Sequence, residues 1–378
     1  QQFFGANAGM NSSVESQGGD GAATDYDQDT GNYYISNYVY NDNIVQRNLS
    51  GGQIKQLNSE SASNGDFINQ QDLDSNLNLL YTNYSNATDG PRVMRYKIAN
   101  GAGQKTILTD ALLTSGGSPT AFKVSPYTTT STKLFVGTLF GDLLMVENAN
   151  AGATWSDVGT ASFVGSISDI EFGATENDIF VTMHNYGVES IWYTSNGGTT
   201  WETKEGNLPD MPVKCILQNP LNTEEVIVGT ELGVWYTSDF SSASPSWLPA
   251  FNGMSNVKVT DLDVRDDNAI YAATYGRGVF SGMVTAVSLG VNDEELSVNT
   301  VKVYPTVSNG NVFVKSTVNY NNTKVMVYDI NGKLTNESSL ELYSGGEAKL
   351  DLTGLNSGMY FVNLSSDNLN KTVKIIKE

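Results

Sequence analysis

The chain has 378 residues, of which 16% are charged, and its net charge is −20 because 41 acidic residues outnumber 21 basic ones. A surface this acidic repels phosphate backbones and anionic headgroups, which argues against nucleic acid and membrane surfaces as partners. The length allows two or three domains, and the 19 Tyr, 14 Phe and 5 Trp supply enough apolar surface for a folded core.

The start of the sequence and its cysteine content bear on export and redox chemistry. The chain starts at Gln1, without the Met, basic segment or apolar segment of a signal peptide, so we expect a mature or trimmed protein. No window approaches the ~18 apolar residues that cross a bilayer, and a membrane-spanning chain is not expected. The single cysteine, Cys215, lies in PVKCILQNP, where alternation favours a buried strand position over a reactive nucleophile.

A repeat of about 46 residues organises most of the chain. The landmarks are Trp155, Trp201 and Trp247, which are 46 residues apart, and Gly141, Gly187, Gly233 and Gly278, at intervals of 46, 46 and 45. The unit at 165–209 contains four strand-like segments, SISDIEF, DIFVTMH, ESIWYTS and TWETKEG, separated by Asn, Gly and Asp turns. Four strands in a repeat of roughly 40–50 residues predict the blade of a β-propeller.

The same period places further blades on either side. We expect weaker blades at 19–64 and 65–114, and we interpret 1–18 as the end of an upstream segment or a truncated blade. The last unit, 255–284, supplies three strands, and we expect its fourth strand to come from the other end of the ring, which would remove exposed sheet edges. Residues 19–284 are therefore predicted to form six or more blades.

Two isolated features carry weaker predictions. The segment DYDQDTGN at 25–32 resembles a calcium loop, but Thr30 and Ser36 occupy the positions where an EF-hand loop has Gly and Glu. We favour a polar hairpin turn there, with an incidental calcium site as the alternative. The only histidine, His184, stands alone, which favours a packing or loop role over a catalytic triad or metal cluster.

Three segments share a hairpin motif, namely NANAGATW (148–155), TSNGGTTW (194–201) and TSDFSSASPSW (237–247). An acidic or amide side chain is expected to accept hydrogen bonds from backbone N–H groups of the hairpin, Gly to allow its turn, and Trp to pack beneath it. The predicted structural residues are Asn150, Gly152, Trp155, Asn196, Gly198, Trp201, Asp239 and Trp247. Asn at two of these positions cannot act as a catalytic carboxylate.

These segments resemble the Asp-box of the BNR repeat proteins, which include sialidases, xyloglucan-hydrolysing glycosidases and sortilin-like receptors. TYGRGVF at 274–280 is similar to the closing blade of the last two groups. The resemblance implies a propeller across 19–284, but it specifies a fold far better than an activity.

Catalysis by this fold would require further residues. Sialidases of the fold bind the substrate carboxylate with three arginines, and none of the five arginines here (Arg47, Arg92, Arg95, Arg265 and Arg277) lies in the family's F/Y-R-I-P sequence. Inverting glycosidases need two carboxylates roughly 6.5–9.5 Å apart. Four acids on predicted first strands are candidates for the central channel, Asp169, Glu171, Asp261 and Asp263. We favour solvated or hairpin-capping roles for them, and predict no catalytic, cofactor-binding or metal-binding residue.

The C-terminal part has a different character. Residues 285–300 carry three acids and no aromatic residue, which predicts a linker. Residues 301–378 alternate Val, Tyr and Phe, with turn signals at Asn309-Gly310, Asn331-Gly332 and Ser357-Gly358. About seven short strands in this length predict a small immunoglobulin-like β-sandwich.

Residues 301–378 also resemble the type A C-terminal sorting domains of the type 9 secretion system of Bacteroidota. The resemblance includes VYP, VYDINGK, LDLTGLNSGMYFV and the terminal KIIK, whereas Thr306-Val307 departs from the usual Y-P-N-P opening. The residues expected to keep the recognised shape are Tyr304, Pro305, Asp329, Gly332, Gly354, Gly358, Tyr360 and Lys374.

Membership of this family implies export through the periplasm and outer membrane to the cell surface or the medium. It also implies recognition by the translocon and by an outer-membrane shuttle barrel protein. It leaves open whether the sorting domain is then removed, and whether the cargo is released or anchored. For the propeller we favour a binding or adhesion module for an extracellular glycan or protein. The alternative is a secreted glycoside hydrolase of the Asp-box propeller type.

Overall fold

The structure is a computed structural model that describes residues 2–3, 13–14, 18–61, 63–98, 104–250, 254, 256–286, 301–330, 332–366 and 369–378. The chain divides into two compact units, Gln1–Ala286 and Val287–Glu378. Most of the segment predicted at 1–18, and all but the first two residues of the predicted linker at 285–300, lie outside the described residues.

Six antiparallel sheets of three or four strands in the first unit are blades 1 to 6, and each is made of strands that are consecutive in the sequence. Before them, β1 (Gln2–Phe3) pairs with β2 (Ser13–Val14). Blade 1 contains β3 (Thr24–Tyr26), β4 (Tyr33–Asn37), β5 (Ile44–Asn48) and β6 (Gln53–Asn58). Blade 2 contains β7 (Gln71–Asp74), β8 (Leu79–Asn83), β9 (Val93–Lys97) and β10 (Lys105–Leu108).

A short helix, α1 (Ala111–Gly116), connects blades 2 and 3. Blade 3 contains β11 (Pro119–Val124), β12 (Leu134–Thr138), β13 (Leu143–Glu147) and β14 (Thr154–Asp157). Blade 4 contains β15 (Ile167–Phe172), β16 (Ile179–Met183), β17 (Ile191–Thr194) and β18 (Glu202–Thr203). Blade 5 contains β19 (Val213–Gln218), β20 (Val226–Thr230), β21 (Gly233–Thr237) and β22 (Leu248–Pro249), and blade 6 contains β23 (Val259–Val264), β24 (Ala269–Thr274) and β25 (Gly278–Met283).

Apolar cores between neighbouring blades hold the ring together. The second strand of each of the first five blades is buried along all five of its residues, because both faces of its sheet are covered. Tyr81 of blade 2 belongs to the same core as Leu134 of blade 3, and Phe180 of blade 4 to the same core as Val226 of blade 5. Cys215 is buried on β19, as the alternation predicted.

Blade 6 differs from the other five blades, because its sheet has three strands within the described part of the chain. The fourth strand that was expected from the other end of the ring is not among these residues. The two short N-terminal strands pair with each other instead.

The helix α1 was not predicted, since its six residues are too few to show a helical period. The side chain of Asp110 caps its N-terminus by accepting a hydrogen bond from the backbone N–H of Leu112 over 2.9 Å. Leu113 is buried in the core that blades 2 and 3 share.

The second unit is a β-sandwich of eight strands. One sheet has the order β26-β28-β31 and the other the order β27-β33-β32-β29-β30. The strands are β26 (Val301–Tyr304), β27 (Val307–Ser308), β28 (Asn311–Ser316), β29 (Tyr320–Asp329), β30 (Leu334–Leu342), β31 (Glu347–Asp351), β32 (Gly358–Ser366) and β33 (Leu369–Lys377). Both sheets contribute to one core, for example Val314 from the first and Val327 from the second. The whole protein is thus all-β, a multi-bladed propeller followed by a small immunoglobulin-like sandwich.

Among the described residues, no helix has the length and apolar character needed to cross a membrane.

Candidate functional site

The first strands of the six blades surround the central channel of the propeller. Along the ring, each of these strands contacts the first strand of the next blade, from β3 to β23. The carboxylate of Asp261 on blade 6 contributes to raising the pKa of Asp25 on blade 1, so both ends of the ring face the same channel. The interacting titratable residues of these strands are Asp25, Asp72, Lys123, Asp169, Glu171, Asp261 and Asp263.

Four of these residues, Asp169, Glu171, Asp261 and Asp263, are the acids that the sequence placed on first strands. Asp25, Asp72 and Lys123 were missed as channel residues, although each also lies on the first strand of its unit. Lys123 forms an ion pair with Glu171, with 2.5 Å between Nζ and Oε2.

The channel shifts the ionisation of its carboxyls towards neutral pH. Burial raises the pKa of Asp169 to about 7, and the neighbouring Glu171 carboxylate adds to the rise. Burial likewise raises the pKa of Asp25 to about 8, with a contribution from Asp72. Burial would lower the pKa of Lys123, but the carboxylates of Glu171 and Asp72 raise it overall. The channel therefore carries less negative charge near pH 6 than its six carboxyls suggest.

The same carboxyls also satisfy backbone groups on the inner edges of the first strands. Asp169 Oδ2 accepts a hydrogen bond from the N–H of Ile216 in the next blade, over 3.0 Å. Asp72 accepts one from the N–H of Val124 in the same way. An inner edge has no neighbouring strand to pair with, so these side chains provide acceptors for N–H groups that the ladder leaves open.

The hairpin predicted at 25–32 does not gather its three acids into one site, since only Asp27 and Asp29 interact with each other. Asp25 accepts a hydrogen bond from Gln71, at the channel. Asp27 accepts one from the N–H of Asn32 over 3.1 Å, within the turn. Within the described ranges, no group of three or more His, Cys, Asp or Glu residues is arranged to hold a metal ion.

His184 lies in the turn between the second and third strands of blade 4. Its backbone N–H donates to Ser166 O over 3.0 Å, and its Nε2 lies 3.7 Å from Glu231 Oε1. Burial lowers the pKa of His184 to about 4, and the nearby cations of Lys214 and Lys258 lower it further.

One end of the propeller exposes a ring of large apolar side chains, which we call the apolar mouth. Its members lie in turns between second and third strands or in connections between blades, and each is between 49% and 76% exposed: Phe67, Ile68, Phe140, Val164, Tyr186, Leu232 and Tyr275. Phe140, Tyr186 and Leu232 each precede the repeated glycine of their unit, so they occupy equivalent positions in the repeat.

Backbone hydrogen bonds fix the turns of the apolar mouth. The N–H of Leu139 donates to Ser118 O over 3.0 Å, and the N–H of Tyr275 donates to Lys258 O over 2.9 Å. In each case a turn is bonded to the connection that leads into its own blade. The sequence shows a large apolar residue before three of the four repeated glycines, but it does not show that these side chains face outwards.

The hairpin motifs use their polar residue in two different ways. Asn196 Oδ1 accepts a hydrogen bond from the N–H of Thr200 over 2.9 Å, and Asp239 Oδ1 accepts one from the N–H of Ser246 over 2.9 Å. Asn150 Oδ1 instead accepts from the N–H of Thr132, in the loop before β12, over 3.1 Å. The first two side chains cap their own hairpins, whereas Asn150 connects two separate loops.

The glycines of the motif also differ. Gly198 has a φ of 90°, and an added Cβ would lie 2.7 Å from Val158 O. Gly152 has no left-handed φ, and an added Cβ would meet nothing within 4 Å. The conformational freedom that was expected of both glycines is therefore required at Gly198 and not at Gly152.

Trp201 and Trp247 make equivalent indole hydrogen bonds, whereas Trp155 lies within a strand. The indole N–H of Trp201 donates to Val158 O over 2.8 Å, and that of Trp247 donates to Lys204 O over 2.9 Å. Each acceptor lies 43 residues earlier in the chain. Trp155 lies within β14 and packs against the core shared by blades 2 and 3, as Trp201 packs against the core shared by blades 3 and 4.

The residues singled out in the sandwich lie at several turns and strand ends. Tyr304, joined to Pro305 by a cis peptide bond, donates its hydroxyl to Glu347. Asp329 Oδ1 accepts from the N–H of Lys333 over 3.0 Å in the turn that contains Gly332, whose φ is 77°.

The segment before and along β32 contains three more of these residues. Gly354 lies in the turn after β31, and Gly358 begins β32. The buried Tyr360 donates its hydroxyl to Asn356 O over 2.9 Å. Tyr360 lies opposite Asp329 in the sheet, while Lys374 is exposed on β33 opposite Phe361.

Comparison with known proteins identifies a family for the C-terminal sandwich and shows only a similar fold for the chain as a whole. Residues 302–378 match the family model described as "Secretion system C-terminal sorting domain". No curated protein matches the chain.

Two solved structures are similar to the chain in fold. One is PorZ, described as an essential bacterial surface component of the type-IX secretion system of Porphyromonas gingivalis, with 13% identity and a TM-score of 0.51. That alignment covers 96% of this chain and 52% of PorZ, so the chain spans about half of that protein's length. The other is U3-55K, with 8% identity, a TM-score of 0.53 and coverage of 71% of this chain and 80% of that one.

The family match concerns the same strands and turns that form the sandwich, from Lys302 to Glu378. The C-terminal domain is thus a sorting domain of the type 9 secretion system, and the chain is a cargo that this system exports to the cell surface or the medium.

Proposed function

We propose that the propeller of this exported cargo is a binding or adhesion module, and that the sorting domain is the export signal read by the translocon and an outer-membrane shuttle barrel protein. The apolar mouth is the observation that carries the propeller's part of this proposal. Exposed apolar patches on a soluble protein mark interaction surfaces, because their exposure to water has a cost that a partner removes. The expected ligand is an extracellular glycan or protein.

The arrangement of the apolar mouth favours binding over core packing. Phe140, Tyr186 and Leu232 recur at one position of the repeat, yet none of them is buried between blades. Their turns are held by backbone hydrogen bonds to neighbouring connections, so the side chains are presented by a preformed support. A preformed surface loses little conformational entropy when it binds.

The alternative function is a secreted glycoside hydrolase acting in the channel. The observation that favours it is the raised pKa of Asp169, to about 7, and of Asp261, to about 6, since a general acid must hold a proton near neutral pH. We favour the binding module because Asp169 is already bonded to the N–H of Ile216 in the next blade.

Binding and hydrolysis can be separated on the purified full chain. We expect an array of glycans and extracellular proteins to give ligands whose binding is reduced about tenfold or more by Phe140→Ser with Tyr186→Ser, as for central apolar anchors of an interface. A control variant, Leu221→Ser with Leu248→Ser, changes two other exposed apolar residues and is expected to bind normally. Polysaccharide hydrolysis that is abolished by Asp169→Asn or Asp261→Asn would instead establish the enzyme.

The export signal is tested in a bacterium that has a type 9 secretion system. Deletion of 302–378 is expected to leave a folded propeller in the periplasm, because the propeller has its own cores between blades. Fusion of 285–378 to a foreign protein is expected to direct that protein out of the cell. Normal secretion of the truncated chain would contradict the proposal.

A further inference from the structure

The outer face of the five-stranded sheet of the sorting domain is divided into an apolar half and a polar half. On β32, Tyr360, Val362 and Leu364 are buried in the core, so the alternate residues Met359 and Phe361 point outwards. The register extends this alternation across neighbouring strands. Val307, Ile376 and Met359 lie side by side, and Lys374, Phe361, Tyr328 and Leu334 form the next row.

The apolar half is exposed to solvent. We call it the apolar strip, and its large hydrophobic members other than the half-buried Tyr328 are between 36% and 67% exposed: Val307, Ile330, Leu334, Met359, Phe361 and Ile376. Six such residues at one end of one sheet in a domain of 77 matched residues form a continuous patch rather than scattered surface residues.

The polar half of the same face is occupied by its own contacts. Lys324 Nζ lies 2.9 Å from Glu337 Oε1, and Asn363 Nδ2 donates to Thr372 Oγ1 over 3.0 Å. A sheet face that merely faced water would carry such residues along its whole length. The change from polar to apolar rows within a single face therefore marks the apolar strip as a surface for a partner.

The charges indicate the chemistry of that partner. Lys374 lies at one end of the second row of the apolar strip, beside Phe361, and Glu378 lies only beyond the end of β33. Residues 301–378 contain eight Lys and seven acids, whereas the preceding 300 residues carry a net charge of −21. A second copy of this chain would bring a second net charge of −20 to the contact, which disfavours a homodimer. A partner surface that is mainly apolar and has a carboxylate facing Lys374 would complement the apolar strip.

We propose that the secretion machinery recognises this cargo through the apolar strip, using an apolar surface with a carboxylate that pairs with Lys374. This inference rests on the proposed role of the sorting domain as the export signal, and it specifies which face is read. The turn residues Asp329 and Gly332 then have a supporting role, because they shape the hairpin that carries Ile330 and Leu334.

The test measures export of the full chain from a bacterium with a type 9 secretion system. The variant Met359→Ser, Phe361→Ser and Ile376→Ser removes the centre of the strip, and we expect the exported fraction to fall about tenfold or more. Lys374→Glu is expected to reduce export too, whereas Lys374→Arg keeps the charge and is expected to retain it. A matched control, Val318→Ser with Tyr343→Ser, changes exposed apolar residues at the other end of the domain and is expected to be exported normally.

Folding and function are separated by two further measurements. Protease resistance of the periplasmic protein shows whether each variant is folded, and if the triple variant is not, the single changes Phe361→Ser and Ile376→Ser take its place. Normal export of folded strip variants, together with retention of the chain lacking 302–378, would overturn the apolar strip and leave the export signal intact. Export of the chain lacking 302–378 would overturn the export signal itself.

Discussion

The carboxylate of Asp169 accepts a hydrogen bond from the backbone N–H of Ile216 over 3.0 Å, and this bond joins the first strands of blades 4 and 5. Its other oxygen accepts from the N–H of Ile170 in its own strand over 2.8 Å. The carboxyl is buried in the channel near Glu171, which raises its pKa to about 7. A group that supports the inner edges of two blades is thereby sensitive to pH.

We predict that the propeller becomes more stable as the pH is lowered from 8 towards 6.5. Burial raises the pKa of Asp25 from 3.8 to about 8 and that of Asp169 to about 7, so the folded protein binds these protons more tightly than the unfolded chain. Such a group stabilises the fold fully below its unfolded pKa, and the contribution is lost as the pH rises through the folded pKa. Thermal unfolding followed by tryptophan fluorescence reports on the propeller alone, because all five tryptophans lie between 155 and 247.

The variant Asp25→Asn is the control for this pH dependence, since an amide imitates the protonated carboxyl. It is expected to flatten the change in melting temperature between pH 8 and 6.5. Below pH 6.5, His184 acts in the opposite direction, because its lowered folded pKa of about 4 means that protonation favours the unfolded chain. A wild-type melting temperature that is higher at pH 8 than at pH 6.5 would contradict the prediction.

The repeat could be predicted from the sequence because the same conformation or contact requires the same residue type at equivalent positions of successive units. Gly141, Gly187 and Gly233 all have positive φ, and Trp201 and Trp247 make the same bond to the preceding blade. Such requirements recur at a fixed interval and are visible as a period of 46.

Other features of the candidate site could not be predicted because they depend on contacts between residues that are far apart in the sequence. The partner of Asn150 is Thr132, in another loop, and nothing in NANAGATW distinguishes this from capping of its own hairpin. Four channel acids were candidates because of their strands, although solvated or hairpin-capping roles were favoured for them. Asp72 and Lys123 were missed because their neighbours come from units about 50 residues away. The outward direction of Tyr186 depends on the turn that carries it.

We predict that the two equivalent tryptophans contribute unequally to stability. Trp247 is 1% exposed and donates its indole N–H to Lys204 O, whereas Trp201 is half-buried. Trp247→Phe is expected to cost roughly 2–4 kcal/mol through the lost hydrogen bond and the space left in the core. Trp201→Phe is expected to cost about 1 kcal/mol.

Urea unfolding of each variant, followed by the fluorescence of the remaining tryptophans, measures these two costs. A larger loss for Trp201→Phe than for Trp247→Phe would show that burial does not determine the order.

The cap of the hairpin at 194–201 provides a test of the structural role of the motif. Asn196→Ala removes the acceptor of the Thr200 N–H, and we expect a loss of about 1 kcal/mol in the free energy of unfolding. Asn196→Asp keeps an acceptor oxygen, as Asp239 does in the next blade, and is expected to change stability by less than about 0.5 kcal/mol. Chemical denaturation checks both values, and equal losses for the two variants would argue against the cap.

The last prediction concerns the turn that leads into β28 of the sorting domain. Gly310 has a φ of 105°, and an added Cβ would lie 2.7 Å from the backbone N of Thr353. Gly310→Ala is expected to destabilise the sandwich by about 2 kcal/mol or more, because the strained φ and the backbone clash add together. Gly345→Ala is the matched control, since Gly345 has a φ of 74° and open space around it, and a loss of only about 1 kcal/mol in the free energy of unfolding is expected.

Calorimetry of the full chain with Gly310→Ala should show a lower transition temperature for the sandwich, while the tryptophan transition of the propeller stays unchanged. A shift of the tryptophan transition by Gly310→Ala would mean that the two units do not unfold independently.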